Sequence, residues 1–276
     1  MKVSNLTSSL FLMVALFAIS CSSKKVEQPK SLILYYSQTS NTKGIAEQIQ
    51  TLVNADIEAI EAVVPYDGEY QQTIERGRKE LDEGIFPEIK PLTHNVADYD
   101  IIYIGYPVWF GTYAPPIATL LNKIDLSGKK VVPFCTFGSG GLVSSSKDIA
   151  KNEPNADILP GYGVRAARLA AAAKELEQFL KRNGLLEGEA VKLAEFSPMV
   201  EATQQQDAIL NEAIGDYPMM RGGMKADSVA YRSVEGGIEY LFIGRPIQAP
   251  AAQRGNMKIY VLHLDGSKPE FTQIVR

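Results

Sequence analysis

Six consecutive residues, Ser31–Tyr36 (SLILYY), form a β-prone apolar run with no polar alternation. A strand of that kind has no face to give to water, so it belongs inside a parallel sheet covered on both sides. The chain then turns polar over Ser37–Thr42 (SQTSNT) and resumes with Ile45, Ile49 and Leu52 at helical spacing, with Ala46 beside them. The same sequence of strand, loop and helix recurs. Asp56–Val64 suggests a second strand, Ile101–Tyr106 (IIYIGY) a third, and Ile117–Ile124 a helix. Lys130–Thr136 (KVVPFCT) suggests a fourth strand, in which Pro133 predicts a bulge or strand end. Ile158–Val164 is a weaker fifth, and Ala166–Arg182 a helix with Leu169, Ala173, Leu176 and Leu180 on one face. This alternation predicts an α/β fold, a doubly wound parallel sheet of five strands.

In open sheets of this class, ligands bind beyond the carboxyl ends of the strands. Three loops there are distinctive. Ser37-Gln38-Thr39-Ser40-Asn41-Thr42 places four hydroxyls and two amides at the mouth of a helix. A helix N-terminus carries free N–H groups and partial positive charge, so it can hold a phosphate without Lys or Arg. Plain N-capping would need one hydroxyl. Pro107-Val108-Trp109-Phe110-Gly111-Thr112 holds the only Trp of the chain. It suits either stacking on a flat ligand or covering the core. Thr136-Phe137-Gly138-Ser139-Gly140-Gly141 has three glycines in four residues, which let the backbone approach a ligand or simply turn. It is not a phosphate loop of the Gly-Lys-Ser/Thr kind. Between the second and third strands, Glu69–Gly84 predicts a charged helix, either a solvated cover or a lid over the site.

The three loops in this order resemble the flavodoxin family. The resemblance is carried by Leu32–Thr42 (LILYYSQTSNT), Tyr99–Gly111 (YDIIYIGYPVWFG) and Val131–Gly141 (VVPFCTFGSGG), and extends over residues 31–185. It implies strand order 2-1-3-4-5 and non-covalently bound FMN. By that resemblance Ser37, Gln38, Thr39, Ser40, Asn41 and Thr42 hold the phosphate. Pro107, Val108, Trp109, Phe110 and Gly111 lie against the ring, and Thr136, Phe137, Gly138, Ser139 and Gly141 close the other side. One departure stands out: Ser40 replaces the family's usual glycine, which costs about 1 kcal/mol if the backbone there is left-handed. No catalytic side chain and no metal ligand is nominated. The implied roles are electron transfer to a redox partner protein, or FMN-dependent reduction of a quinone-like small-molecule acceptor by an oxidoreductase. The alternative is a non-enzymatic binding lipoprotein whose scaffold holds FMN weakly and whose C-terminal domain binds a partner.

Residues 1–20 read as a signal peptide: Lys2 precedes the ten-residue apolar run Leu10–Ile19, too short to span a bilayer. Ala18-Ile19-Ser20-Cys21 resembles a bacterial lipoprotein cleavage box, making Cys21 a lipidation site and residues 21–30 a tether. An ordinary signal peptide with an incidental Cys is the alternative. The expectation is an exported, membrane-anchored lipoprotein. Lys+Arg 28 against Asp+Glu 32 gives a net charge of −4, which argues against nucleic-acid binding and weakens the case for an acidic electron shuttle. Cys135 would be the remaining thiol, read as a small buried hydrophobe.

From Gly188 the pattern changes. Gln206–Ile214 suggests a helix, followed by strands at Val229–Arg232, Gly237–Gly244, Lys258–Leu264 and Phe271–Val275. Residues 186–276 are therefore expected to form a small α+β domain, a helix on an antiparallel sheet. Met219, Met220 and Met224 fit core filling better than a contact surface, and His263 a half-buried strand position.

Overall fold

The computed structural model describes residues 29–215, 217–220, 222–248 and 255–276. The expected signal peptide, Cys21 and most of the tether lie outside these residues. No helix among the described residues is long and apolar enough to cross a membrane.

The first sheet comprises β1 (Ser31–Tyr35), β2 (Asp56–Ala59), β3 (Ile101–Trp109), β4 (Thr112–Tyr113), β5 (Lys130–Phe137), β6 (Asp157–Ile158) and β7 (Tyr162–Arg165). Its order is β2-β1-β3-β5-β6, with β7 also on β5, and all these pairings are parallel. With β6 and β7 sharing the fifth position, this is the expected doubly wound order. Alternation within single strands divides the core between the faces. Leu32, Leu34, Ile102, Ile104 and Cys135 meet Ile117 and Leu120 of α3 (Pro115–Leu121) and Ile149 of α4 (Leu142–Asn152). Ile33, Tyr103, Val132 and Phe134 meet Ile45 and Ile49 of α1 (Asn41–Val53) and Leu176 and Leu180 of α5 (Ala172–Arg182). Each fully buried Leu or Ile is worth roughly 1.5–3 kcal/mol.

Pro133 does not end or bulge the fourth strand as expected; β5 runs unbroken through it. Val131 O accepts from Leu159 N on the fifth-strand side, and residues two apart in a strand face the same way. The N–H that Pro133 lacks therefore points toward that edge, where Leu159–Gly161 interrupt the pairing between β6 and β7. The expected strand Ile158–Val164 is split there for the same reason. The second strand stops at Ala59, short of the expected Val64, and the helix expected from Ala166 begins as a 3₁₀ turn over Ala166–Ala171, kinked at Arg168.

α2 (Tyr70–Glu83) follows β2, with a Glu69/Gln72 capping box and Gly84 left-handed at its C-cap. Apart from buried Gly77 it is largely a solvated helix.

The second sheet, β12-β11-β10-β9-β8, is antiparallel. Its strands are β8 (Val200–Glu201), β9 (Met224–Val234), β10 (Gly237–Pro246), β11 (Met257–Leu264) and β12 (Glu270–Val275). α6 (Gln204–Ile214) is capped by Thr203 and packs Leu210, Ala213 and Ile214 against Met220, Met224, Phe242, Ile259 and Phe271. This is the expected α+β module, with Met220 and Met224 as core filling. Asp207 Oδ1 accepts from Ala226 N at 2.7 Å, and Asn211 bonds both backbone groups of Met224, fixing helix to sheet.

The two domains are pinned together along β12. Ile274 N donates to Ser139 O at 2.6 Å. Arg165 Nε donates to Gly138 O at 2.9 Å, its Nη1 donates to Phe271 O at 3.0 Å, and its guanidinium lies 3.4 Å from the Phe271 ring centroid. Arg168 bonds Glu175 at 2.7 Å and Glu270 at 3.1 Å. Burial alone would lower the Arg168 pKa; the two carboxylates outweigh it and keep the charge in place.

Candidate functional site

The polar loop after β1 enters α1 through Ser40, whose φ of 64° is left-handed. Ser40 makes no side-chain cap bond. Ser37 Oγ instead accepts from Lys43 N at 3.2 Å. The amides of Ser40, Asn41 and Thr42 have no protein partner among the described residues. Gln38, Thr39 and Ser40 are exposed, whereas Thr42 is buried. The Thr42 hydroxyl shares a 2.9 Å hydrogen bond with that of Thr136, tying the first loop to the third. Lys43 points to Glu47 at 3.7 Å, so the donors at this helix mouth are neutral.

The second expected loop is largely strand. Pro107, Val108 and Trp109 complete β3, and Trp109 pairs with Thr112 across a two-residue turn. Phe110 and Gly111 form that turn with φ of 53° and 88°. Two successive positive φ values are the type I′ geometry whose twist matches a tight hairpin. Ser144 Oγ donates to Gly111 O at 2.5 Å and Thr112 Oγ1 donates to Asp148 at 2.6 Å, so α4 holds the hairpin. Val108 packs against Gly141, joining the second loop to the third.

Trp109 is half-buried in an aromatic cluster. It meets Tyr66 edge-on at 5.2 Å and Tyr36 at 6.0 Å, and its ring lies against Gly77 of α2, 3.0 Å from where a Cβ would sit. Gln38 joins this cluster, accepting from Tyr36 Oη and donating to Tyr66 O, both at 2.5 Å. Tyr66 Oη donates to Glu80, which Arg76 holds at 2.8 Å. Burial pushes both tyrosine hydroxyls well above their usual range, and Glu80 raises Tyr66 further, so both remain donors.

In the third loop, Thr136 and Phe137 end β5 and are buried, Phe137 in the sheet core. Gly138–Gly141 are the accessible part. The carbonyls of Gly138 and Ser139 are taken by Arg165 and Ile274. In a trans peptide the N–H opposes the C=O, so the amides of Ser139 and Gly140 are aimed away from those partners. A cleft of about 690 Å³ opens beside this loop, between Val108, Phe110 and Gly111 on one side and Tyr217 and β12 on the other.

The structure thus gathers all three loops at the carboxyl ends of β1, β3 and β5. It adds groups the sequence reading missed: Tyr36, Tyr66, Gly77, Arg165, Tyr217 and the end of β12. For Tyr66 the Tyr beside Pro65 just past the second strand was an available signal. For Arg165 and β12 none was, because their contacts join segments about a hundred residues apart.

Residues 30–182 match the family model of flavodoxin. Among solved structures, a flavoprotein candidate from Bacteroides eggerthii DSM 20697 is 27% identical with a TM-score of 0.52, covering 57% of this chain and 99% of its own. A second, from Bacteroides uniformis ATCC 8492, is 25% identical with a TM-score of 0.49 and covers 54% and 98%. A flavoprotein from Lactobacillus acidophilus NCFM, in complex with FMN, is 24% identical with a TM-score of 0.46 and covers 53% and 99%. No curated protein matches the chain.

Proposed function

The chain belongs to the flavodoxin family, and from that premise we propose that it binds FMN non-covalently and reduces a small-molecule, quinone-like acceptor. The observation that carries the reading is the mouth of α1. Its first amides are unclaimed, its N-cap residue does not cap, and exposed hydroxyls surround it. A helix end in that state suits a phosphate dianion. The chemistry of the donors fits: they are neutral hydroxyls and amides that can surround phosphate oxygens without a cation.

When bound, FMN supplies the one- or two-electron chemistry, and the protein supplies binding and electronic tuning. Ser37, Thr39, Ser40 and Asn41 would hold the phosphate. Val108, Trp109, Phe110 and Gly111 would lie against the ring, and Gly138, Ser139 and Gly141 would offer backbone groups at its edge. Buried Thr42, Thr136 and Phe137 support these loops from beneath. The apolar walls of Val108 and Trp109 exclude water and disfavour added negative charge on the ring. A small-molecule acceptor is preferred to a protein partner because the second domain stands over the third loop and narrows access to a cleft. Residues 1–21 support export and anchoring by lipid at Cys21, which the mass of the mature N-terminal peptide tests.

The deciding experiment is an absorbance spectrum of the purified protein with and without added FMN. Flavin bands, or saturable binding on titration, are expected; absence of both overturns the reading. Stopped-flow mixing of the loaded protein with NADH or NADPH then separates the roles. Fast bleaching supports a reductase, and none supports a carrier reduced by another protein.

A further inference from the structure

Three consecutive residues of the third loop are held from outside their own turn. Gly138 O accepts from Arg165 Nε at 2.9 Å, and Ser139 O accepts from Ile274 N at 2.6 Å. The backbone of β12 lies so close to Gly140 that a Cβ there would sit 2.1 Å from Ile274 O. Arg165 is itself fixed by the C-terminal domain. Its Nη1 donates to Phe271 O at 3.0 Å, and its guanidinium lies 3.4 Å from the Phe271 ring centroid. With three glycines in four residues, the loop has few side chains with which to hold its own shape. The shape comes instead from β12, a strand of the other domain.

The two anchored carbonyls fix two peptide planes. With Gly138 O on Arg165 and Ser139 O on Ile274, the N–H groups of Ser139 and Gly140 face the opposite way. Neither has a protein acceptor among the described residues. Turning either plane over would break an anchoring bond and point a carbonyl where the amide now points. The donors are therefore set before any ligand arrives, and backbone dipoles oriented in advance favour negative charge that develops beside them. Other contacts across the junction leave the loop alone: Arg168 bonds Glu270, and Lys174 bonds Glu235, side chain to side chain.

We propose that the C-terminal domain is the positioning element of the third loop, and that Arg165, bridging Gly138 O and Phe271 O, sets the Ser139 and Gly140 amides so that FMN is held more tightly once reduced. This rests on the flavin reading: reduction puts negative charge on the ring, and N–H groups at its edge offset the apolar walls of Val108 and Trp109. Arg165 is a positioning residue, acting through the loop and not as a flavin ligand.

The test compares dissociation constants for oxidised and dithionite-reduced FMN, measured without oxygen on the full protein, in wild type, Arg165→Met and Glu270→Gln. Arg165→Met keeps the aliphatic stem and removes both donors. It should weaken the binding of reduced FMN at least about tenfold more than that of oxidised FMN, the scale of one hydrogen bond to a charged group. Glu270→Gln loosens the junction at a contact away from the loop and should leave the ratio at its wild-type value. A flavin-free readout is the ¹⁵N order parameter of Ser139 and Gly140, expected at about 0.85 in wild type and below about 0.6 in Arg165→Met. An equal loss for both redox states, an unchanged ratio, or a ratio that shifts as far in Glu270→Gln overturns the proposal. So does a loop already mobile in the flavin-free wild type. If FMN binds in neither state, the flavin reading falls, while a loop rigid in wild type and mobile in Arg165→Met still upholds the positioning role of the C-terminal domain.

Discussion

Replacing Gly140 by alanine strikes the junction of the two domains. A Cβ at Gly140 would lie 2.1 Å from Ile274 O and 3.1 Å from its carbonyl carbon. Both are backbone atoms, so no side chain can rotate aside. The φ of Gly140 is not in the left-handed range, so alanine is not strained by its own backbone. The whole cost falls on the approach of β12, which must retreat by about 0.9 Å to reach even the 3.0 Å lower limit of real Cβ contacts and by about 1.3 Å to reach an ordinary one. That retreat breaks the 2.6 Å Ile274–Ser139 bond and pulls Phe271 O away from Arg165. A neutral hydrogen bond contributes about 1 kcal/mol and one to a charged donor about 1.5–3. Docking should therefore weaken by roughly 2–4 kcal/mol. At about 2–4 °C per kcal/mol for a chain of this size, the melting temperature should fall by roughly 5–15 °C. Differential scanning calorimetry reads this directly, and separate transitions for the two domains would be its strongest form. Gly44→Ala is the control: its Cβ meets nothing within 4 Å, and α1 should gain up to about 1 kcal/mol. A Gly140→Ala protein melting within about 2 °C of wild type would refute the argument from close approach.

Ser40→Gly relieves about 1 kcal/mol of left-handed strain against a similar loss in chain entropy, so its urea stability should equal or slightly exceed wild type. Ser40→Val should lose at least about 1 kcal/mol, and equal losses in both would contradict the φ of 64°. Trp109→Ala should weaken FMN binding by roughly 1–3 kcal/mol, on the scale of flat aromatic stacking; an unchanged dissociation constant would remove Trp109 from the site. Burial raises the Glu58 carboxyl, but bonds from Thr93 N at 2.6 Å, His94 N at 3.0 Å and His94 Nδ1 at 2.7 Å reverse this and hold it below its usual 4.5. A depressed carboxylate stabilises the fold above its unfolded pKa and ceases to as pH falls through the folded one. The stability gap between wild type and Glu58→Gln should accordingly be full at pH 7 and shrink below about pH 4.5; a gap that grows in acid would show the sign to be wrong.

The elements legible in the sequence were those whose signal is local. The strand order came from the resemblance to the flavodoxin family and not from such elements alone, whereas Ser31–Tyr36, the hydroxyl loop and Ile45/Ile49/Leu52 carry their own periodicity. The antiparallel module was legible for the same reason. Pro133 misled because its effect depends on what lies across the sheet: a break in the neighbouring edge makes its missing donor harmless. The second loop misled because Phe-Gly is not an Asn-Gly turn signal, yet α4 and α2 hold Phe110 where glycine or asparagine would usually sit. Placing Trp109 in a cluster with Tyr36 and Tyr66, rather than on an open loop, required knowing that α2 folds back over it. Arg165 has no local signature at all; it bridges Gly138 O of its own domain to Phe271 O of the other.

Phe110 adds one further consequence. A non-glycine residue at positive φ stores on the order of 1 kcal/mol, and here the restraint comes from outside the turn: Arg78 covers the Phe110 ring while Gly77 seats the neighbouring Trp109. The hairpin tip is held in that conformation by α2 on one side and α4 on the other. Loosening α2 would remove the Arg78 and Gly77 contacts and leave residue 110 held by α4 alone. Changes on the solvated helix, at Arg78 or in the Arg76–Glu80 pair, therefore act on the shape of the aromatic wall without touching any ligand.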